Sequence, residues 1–345
     1  MKQKKKRGSL LRGFMRFVCT VLGIILALMI AVTVYFQSLL GQINYIDPED
    51  VTLLSQEEVD ALDAADTIAV NPDAPTEAVE FEDHDTTIGG KRSGIINILL
   101  IGQDRRPGEA RARSDSMILC SFNKNTKTLT LTSFLRDLYV QIPGYQDNRI
   151  NSAYAAGGMT LLNDTLETNF GIQVDGNVEV DFSQFAQIVD LMGGVTIELR
   201  QDEADLINKD VGGSLTAGSC LLNGEQALTY ARIRKLDADG DFSRTSRQRK
   251  VIDAMIGAYK DSSLTTLLKL LDQVLPMVTT DIKNTRLVAY ALELFPMLSD
   301  ITIVSQRIPA DGTYSGQTIR GMSVLVADME ANREILSDTI LGTSE

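Results

Sequence analysis

Hydrophobic and polar positions divide this chain into four stretches. Residues 17–36 (FVCTVLGIILALMIAVTVYF) hold no charged side chain. At about 1.5 Å per residue, a helix of that length crosses a bilayer core of roughly 30 Å. The run is longer than the roughly 7–15 residues of a signal-peptide core and lacks an A-x-A cleavage pattern after it. It therefore predicts an uncleaved transmembrane helix. Residues 37–93 are rich in Asp, Glu, Thr, Ala and Pro with little apolar periodicity, which predicts a partly ordered stalk. A short helix is expected within it around SQEEVDALDAA, where Ser55 caps and Glu58 follows three residues on.

From residue 94 to 345 the pattern is that of a folded domain. Apolar runs at 95–101 (IINILLI), 116–122 (SMILCSF) and 128–134 (TLTLTSF) predict buried strands. A helix is predicted over 152–170. Another is predicted over 182–192, capped by Asp181 and stopped by Gly193 and Gly194. VTIEL at 195–199 reads as a strand. Helical spacing covers 244–260, 263–278 and 284–298, a strand covers 301–308, and a closing helix is expected near 323–340. Mixed strands and helices of this kind predict an α/β fold with a mixed-sheet α/β/α sandwich, set behind the single transmembrane helix.

Charge orients the chain and narrows its partners. Residues 1–16 carry Lys2, Lys4, Lys5, Lys6, Arg7, Arg12 and Arg16 and no acid, so this tail stays cytoplasmic and the remainder lies outside a cell membrane. The formal net charge is −13; without the tail, 26 Lys and Arg face 46 Asp and Glu. An acidic balance of that size argues against nucleic acid as a partner. His84, the one histidine, falls in the stalk and reads as a solvated linker residue. That leaves no Ser-His-Asp or Cys-His catalytic arrangement in the domain. Cys19 lies in the apolar run; Cys120 and Cys220 read as separate thiols, although the outer compartment permits them to pair. GxxxxGK[ST] and G-x-G-x-x-G loops are both missing, which argues against a nucleotide fold.

Against the acidic background, residues 230–250 (YARIRKLDADGDFSRTSRQRK) hold five arginines and two lysines in 21 residues. Arg232 and Arg234 alternate as along an extended segment, and Arg244 and Gln248 lie one helical turn apart on one face. LDADGD turns the chain between the two arms. Guanidinium groups bind phosphate oxygens in pairs, so the stretch is a candidate phosphate or pyrophosphate site. The alternative is a solvated face laced to Asp237, Asp239 and Asp241. Polar residues also gather where the apolar strands end: Asp104 and Arg105 after the first, Arg113 and Asp115 before the second, Arg136 and Asp137 after the third. Strand ends are common ligand positions in α/β folds. Two carboxylates with several arginines suit a divalent cation bound to phosphates.

The ordered series IGQDRR, RSDSMIL, LTSFLRDLYV, NRINSAYAAGG, LNGEQALTYARIRK and DFSRTSRQRKV, spanning roughly residues 95–255, resembles the LytR–CpsA–Psr family. These are membrane-anchored bacterial enzymes that attach glycopolymers to peptidoglycan. Leu135 stands where the family often has a proline, and Arg149 where a lysine is common. The resemblance implies a polyprenyl-pyrophosphate-linked glycan as substrate and peptidoglycan as acceptor. It further implies Mg²⁺ on Asp104 and Asp115, and a pyrophosphate head-group site lined by Arg113, Arg136, Arg232, Arg234, Arg244 and Gln248. Asp241 would orient this arginine set or accept a proton. A lipid-pyrophosphate hydrolase and a membrane-tethered module that binds or regulates wall polymer remain the alternatives.

Overall fold

Strand β2 (Ile95–Gln103) carries apolar residues on both faces and is buried or half-buried along its length, as suits a central strand. It forms the middle of a seven-stranded mixed sheet. In chain order the strands are β1 (Asn44–Tyr45), β2, β3 (Ser114–Asn123), β4 (Thr128–Phe134), β5 (Tyr139–Val140), β6 (Asn148–Arg149), β7 (Gly176–Asp181), β8 (Val195–Leu199), β9 (Gly218–Leu222), β10 (Thr279–Thr280), β11 (Thr302–Ile308), β12 (Tyr314–Ile319) and β13 (Met322–Ala327). The helices are α1 (Gln56–Asp66), α2 (Ile150–Phe170), α3 (Phe182–Leu191), α4 (Gln201–Val211), α5 (Gly224–Arg232), α6 (Asp241–Tyr259), α7 (Leu264–Val274), α8 (Asn284–Leu294) and α9 (Met329–Leu341).

The sheet runs β1-β10-β7-β2-β3-β4-β11. β2 is antiparallel to β3 and parallel to β7, and β4 is parallel to β11. The other strand pairs are the small ladders β5–β6, β8–β9 and β12–β13. One face of the sheet packs Leu99, Leu119 and Phe134 against Leu162 and Phe170 of α2 and Leu336 and Ile340 of α9. The opposite face packs Ile118, Phe122 and Leu131 against Ile252 and Ile256 of α6 and Tyr290 and Leu294 of α8. A further core joins the β8–β9 hairpin to α4, α5 and α6 around Ile197, Ile207, Tyr230 and Val251. The architecture is the expected mixed α/β sandwich.

The computed structural model describes residues 41, 43–66, 79–90, 94–103, 113–237 and 239–342. The basic tail and the apolar run at 17–36, with the membrane topology read from them, lie outside the described residues. Among those described, no helix is long and apolar enough to cross a membrane.

Three expectations change. Residues 44–66 and 79–90, assigned to a stalk, belong to the compact unit that begins at Asn44. β1 extends the sheet edge through β10, Val59 of α1 is 3% exposed, and Ile88 is fully buried between Gly171 and Gln173. Apolar residues are sparse in this acidic stretch, so no periodicity advertises that each one meets the core. The short helix does form, with Ser55 Oγ and Glu58 exchanging the expected capping bonds. His84 is accordingly no solvated linker residue: its Nε2 lies 2.9 Å from the Thr168 carbonyl oxygen.

The second change concerns residues 323–340, where β13 replaces the first part of the predicted helix. Residues 314–327 form the β12–β13 hairpin, and α9 starts only after Asp328, whose side chain caps it. Val324 and Val326 are β-branched and favour the strand. Third, Arg232 is the last residue of α5 and not part of an extended arm.

Candidate functional site

The register between β2 and β3 creates the first element of the site. Gly102 pairs with Ser116 and Gln103 with Ser114, so Asp115 is an extra residue in a β-bulge. A bulge re-aims the side chain that the ladder leaves over. Gly102 allows the close approach: a Cβ there would meet the Ser116 Cβ at 3.1 Å. The Asp115 carboxylate then reaches Arg136, which follows β4 in the turn after Leu135 and donates from Nη1 to Asp115 Oδ1 across 2.9 Å.

The other elements arrive from α3, α5 and α6. Asp181 caps α3 in a capping box with Gln184, which places Phe182 at the start of the helix. Arg232 ends α5 with its guanidinium 4.5 Å above the Phe182 ring, a cation–π contact. Gly224, at the other end of α5, lets α5 approach α3, because a Cβ there would overlap the Ala186 carbonyl. Arg244 and Gln248 face the site from successive turns of α6, as their spacing predicts. Gln248 Oε1 accepts from Ser116 Oγ at 3.1 Å. Asp241 accepts from Arg244 Nη2 at 2.9 Å and lies 3.6 Å from Arg234 Nε.

Asp115, Arg136, Arg232, Arg234, Arg244 and Gln248 thus line one cavity of about 340 Å³, with Phe182 as its apolar wall. Asp241 stands behind Arg234 and Arg244. Arg113 is not in this wall: its Nη2 donates to Asp63 of α1 at 2.8 Å. Asp104 lies outside the described residues.

The electrostatics are those of a site awaiting anions. Burial, reinforced by the Arg234 and Arg136 charges, pulls Arg244 below the ordinary guanidinium range. Arg136 is buried too, but the carboxylates of Asp137, Asp241 and Asp115 outweigh that and raise it. Asp137 is raised above the usual carboxylate range by its burial and by Asp241, against the pull of Arg136 and Arg149.

A second cavity of about 250 Å³ opens from the same place. Its walls are almost wholly apolar, with Ile118 and Val180 from the sheet, Phe185 from α3, Ala231 from α5, and Ile252 and Met255 from α6. Phe182, Arg232 and Gln248 belong to both cavities.

The remaining arginines of the 230–250 stretch do different work. Arg247, 3% exposed, donates from Nε to Glu203 at 2.8 Å and from Nη2 to Asp237, and so ties α6 to α4. The solvated-face reading fails for this stretch, since three of its five arginines are buried. Sequence reading missed Phe182 as a wall and Asp63 as the partner of Arg113. It also missed the buried cluster in which Gln103 and Tyr154 donate to Glu179 beneath the end of β2. An aromatic at a strand end was the available signal for Phe182; nothing local marked the other two. Cys120 and Cys220 are unpaired thiols, and burial pushes Cys120 up to about 12.

Among the described residues, no three His, Cys, Asp or Glu side chains gather as a metal site. Asp115 supplies a hard carboxylate donor in a cavity otherwise built for anions. That fits a cation held mostly by phosphate oxygens and water.

Comparison with known proteins agrees with this geometry. The chain is 35% identical over 252 residues to the polyisoprenyl-teichoic acid–peptidoglycan teichoic acid transferase TagU of Oceanobacillus iheyensis, covering 70% of this chain and 75% of that one. It is 39% identical over 167 residues to the regulatory protein MsrR of Staphylococcus aureus, covering 48% of this chain and 49% of that one. The crystal structure of B. subtilis TagT superposes with a TM-score of 0.59 at 27% identity, over 76% of this chain and all of that one. A structure of TagT with bound octaprenyl pyrophosphate lipid superposes with a TM-score of 0.56 at 26% identity, over 77% of this chain and all of that one. The LytR_cpsA_psr family model matches residues 57–339, and this chain belongs to that family.

Proposed function

We propose that this protein transfers a wall glycopolymer from a polyprenyl-pyrophosphate carrier to a sugar hydroxyl of peptidoglycan. The observation that carries this reading is the shared wall of the two cavities. Phe182, Arg232 and Gln248 join a guanidinium-lined chamber to an apolar one, a fit for a ligand that is a pyrophosphate at one end and a prenyl chain at the other. Binding of octaprenyl pyrophosphate by TagT and the transferase activity named for TagU support the same assignment.

In this mechanism Arg136, Arg232, Arg234 and Arg244 hold the pyrophosphate and neutralise its charge, with Gln248 donating alongside. The acceptor hydroxyl oxygen attacks the glycan-linked phosphorus. The bond from that phosphorus to the bridging oxygen breaks, and polyprenyl monophosphate leaves. Asp241, fixed by Arg244, keeps the arginine set in position and is the group assigned to receive the hydroxyl proton. Asp104 and Asp115 would hold Mg²⁺, which when bound supplies further charge neutralisation. Transfer of this kind needs positioning and charge stabilisation more than covalent work from the protein.

The test is a joining assay with the full chain in detergent, a short polyprenyl-pyrophosphate glycan, peptidoglycan oligomers and Mg²⁺, read by mass spectrometry. Glycan joined to the acceptor is expected; it is expected to fall steeply with Arg136→Ala and to disappear with EDTA. Release of free phosphorylated glycan without joining would replace the transferase reading with hydrolysis. Intact substrate in every sample despite binding would replace it with a binding module.

A further inference from the structure

One residue past the cavity-lining Gln248 on α6, Arg249 is 7% exposed, and its Nε and Nη1 have no hydrogen-bond partner. No acid pairs with it among the described residues. Arg307 of β11 lies close enough that its charge adds to burial in pulling the Arg249 guanidinium down to about 10. Arg307 is itself incompletely served: Nη2 pairs with Asp311, while Nε is buried without a partner. Ser133 is the register partner of Arg307 on the adjacent strand, so both side chains leave the sheet on one face. Its hydroxyl is buried and also unpartnered.

Buried polar groups in folded proteins are almost always hydrogen-bonded, and a buried cation without an acid is costlier still. Here four orphaned atoms of three residues occupy one stretch between α6 and β4–β11. All of them can donate, and the set carries no acceptor of matching charge. An aromatic platform stands beside them. Phe242 stacks on Tyr314 with ring centroids 5.2 Å apart and 28° between planes, and the Arg307 guanidinium lies 4.5 Å from the Phe242 centroid. Phe242 follows Asp241, which accepts from the cavity-lining Arg244, so the platform stands one residue along α6 from a group that holds the cavity wall. Neither Arg249, Arg307, Ser133 nor Tyr314 lines either cavity.

We propose that Arg249, Arg307 and Ser133, with the Phe242–Tyr314 pair, form a second subsite that binds an anionic saccharide next to the reacting phosphates. The donors take a phosphate or carboxylate, and the aromatic pair takes the apolar face of the pyranose. This deepens the transferase reading and rests on it for its place in the reaction.

The experiment is calorimetric titration of the full chain in detergent, with inorganic pyrophosphate saturating the first cavity. The probes are N-acetylglucosamine 1-phosphate, N-acetylmuramic acid and neutral N-acetylglucosamine. At least one anionic sugar is expected to bind, with the neutral sugar weaker by about tenfold or more, the worth of a charged hydrogen bond. Binding of the phosphate sugar alone assigns the subsite to a phosphate-bearing glycan, and of the carboxylate sugar alone to a carboxylate-bearing one. Arg249→Gln and Tyr314→Ala are each expected to weaken that binding by about tenfold while leaving the affinity for inorganic pyrophosphate unchanged. Arg249→Gln is also expected to keep or raise Tm, because it removes an uncompensated buried charge. Failure of every anionic sugar to bind, equal binding of the neutral sugar, an equal loss of pyrophosphate affinity or a lowered Tm would each overturn the proposal. The titration needs no turnover, so its failure is read separately from failure of the joining assay.

Discussion

Arg113 donates to Asp63 across 2.8 Å and thereby joins the start of β3 to α1, a helix fifty residues earlier. Asp63 also accepts from Asn148 at 2.6 Å and from Ser152 at 3.3 Å, with Arg149 Nη2 at 3.6 Å. From Arg149 the charges continue to Asp137 at 3.8 Å, from Asp137 to Arg136 at 3.6 Å, and from Arg136 to Asp115 at 2.9 Å. Asp63 is therefore the far end of an ion ladder whose near end is the cavity wall. Removing one partner from a buried set leaves the others uncompensated. Asp63→Asn is expected to lose roughly 3 kcal/mol of stability by urea unfolding, and to lower turnover by loosening Arg136. Unchanged stability would mean that α1 does not anchor the ladder.

Arg136 meets Asp115 within the cavity, and in the proposed mechanism it holds charge without a covalent role. Arg136→Ala is expected to lower turnover by about 10²–10³-fold, the range for loss of one preorganised charge-stabilising donor. Arg136→Lys keeps the charge and loses the planar fork, so it should fall between the two. A steady-state kcat comparison of the three proteins checks the order.

Ala231 is small and lies in the wall of the apolar cavity. Ala231→Phe is expected to fill part of that space and weaken binding of a long-chain prenyl pyrophosphate by about tenfold, as overpacking costs of order 1–3 kcal/mol. Affinity for inorganic pyrophosphate should stay at the wild-type level. Equal weakening of both ligands would show that the chain lies elsewhere.

Arg247 sits three residues from Arg244 in the same helix, yet it serves the fold. Its side chain is 4% exposed and that of its partner Glu203 is 5% exposed. Arg247→Ala is expected to cost roughly 3–5 kcal/mol by stranding Glu203, which a urea or thermal unfolding curve measures directly.

Asp137 carries a pH signature. Its carboxyl is raised from the ordinary 3.8, with burial the leading cause. The folded state therefore binds this proton more tightly than the unfolded state, so the contribution of Asp137 to stability falls as pH rises from 3.8 through its raised value. Asp137→Asn should remove that component, leaving a wild-type-minus-variant difference that becomes less favourable with rising pH. Urea midpoints measured across that window test the sign.

Much of this was legible along the chain. IINILLI announces a buried strand because a strand covered on both faces is largely apolar, and TLTLTSF because β-branched threonines alternate with apolar residues. Arg244 and Gln248 were readable as neighbours because a helix returns to the same face every four residues. Asp181 was readable as a cap from its place before an apolar helix. The residual 314–327 hairpin escaped because a short apolar run has no period of its own, and α1 escaped as part of the domain because its contacts lie far away in sequence.

What the sequence determined by itself was the inventory and the local geometry: which strands are central, which helix carries the arginines, and that they gather in one stretch of an acidic chain. The tertiary structure alone decided which arginines meet. The β2–β3 bulge turns Asp115 toward Arg136, α5 brings Arg232 over Phe182, and the packing of α1 withdraws Arg113 to Asp63. Within one helix it divides the arginines, sending Arg244 to the cavity and Arg247 to Glu203. The reason is that charge is a property of a residue, whereas its partner is a property of chain segments brought together by burial. Spacing along one helix sets the direction of a side chain, and only packing sets what stands there.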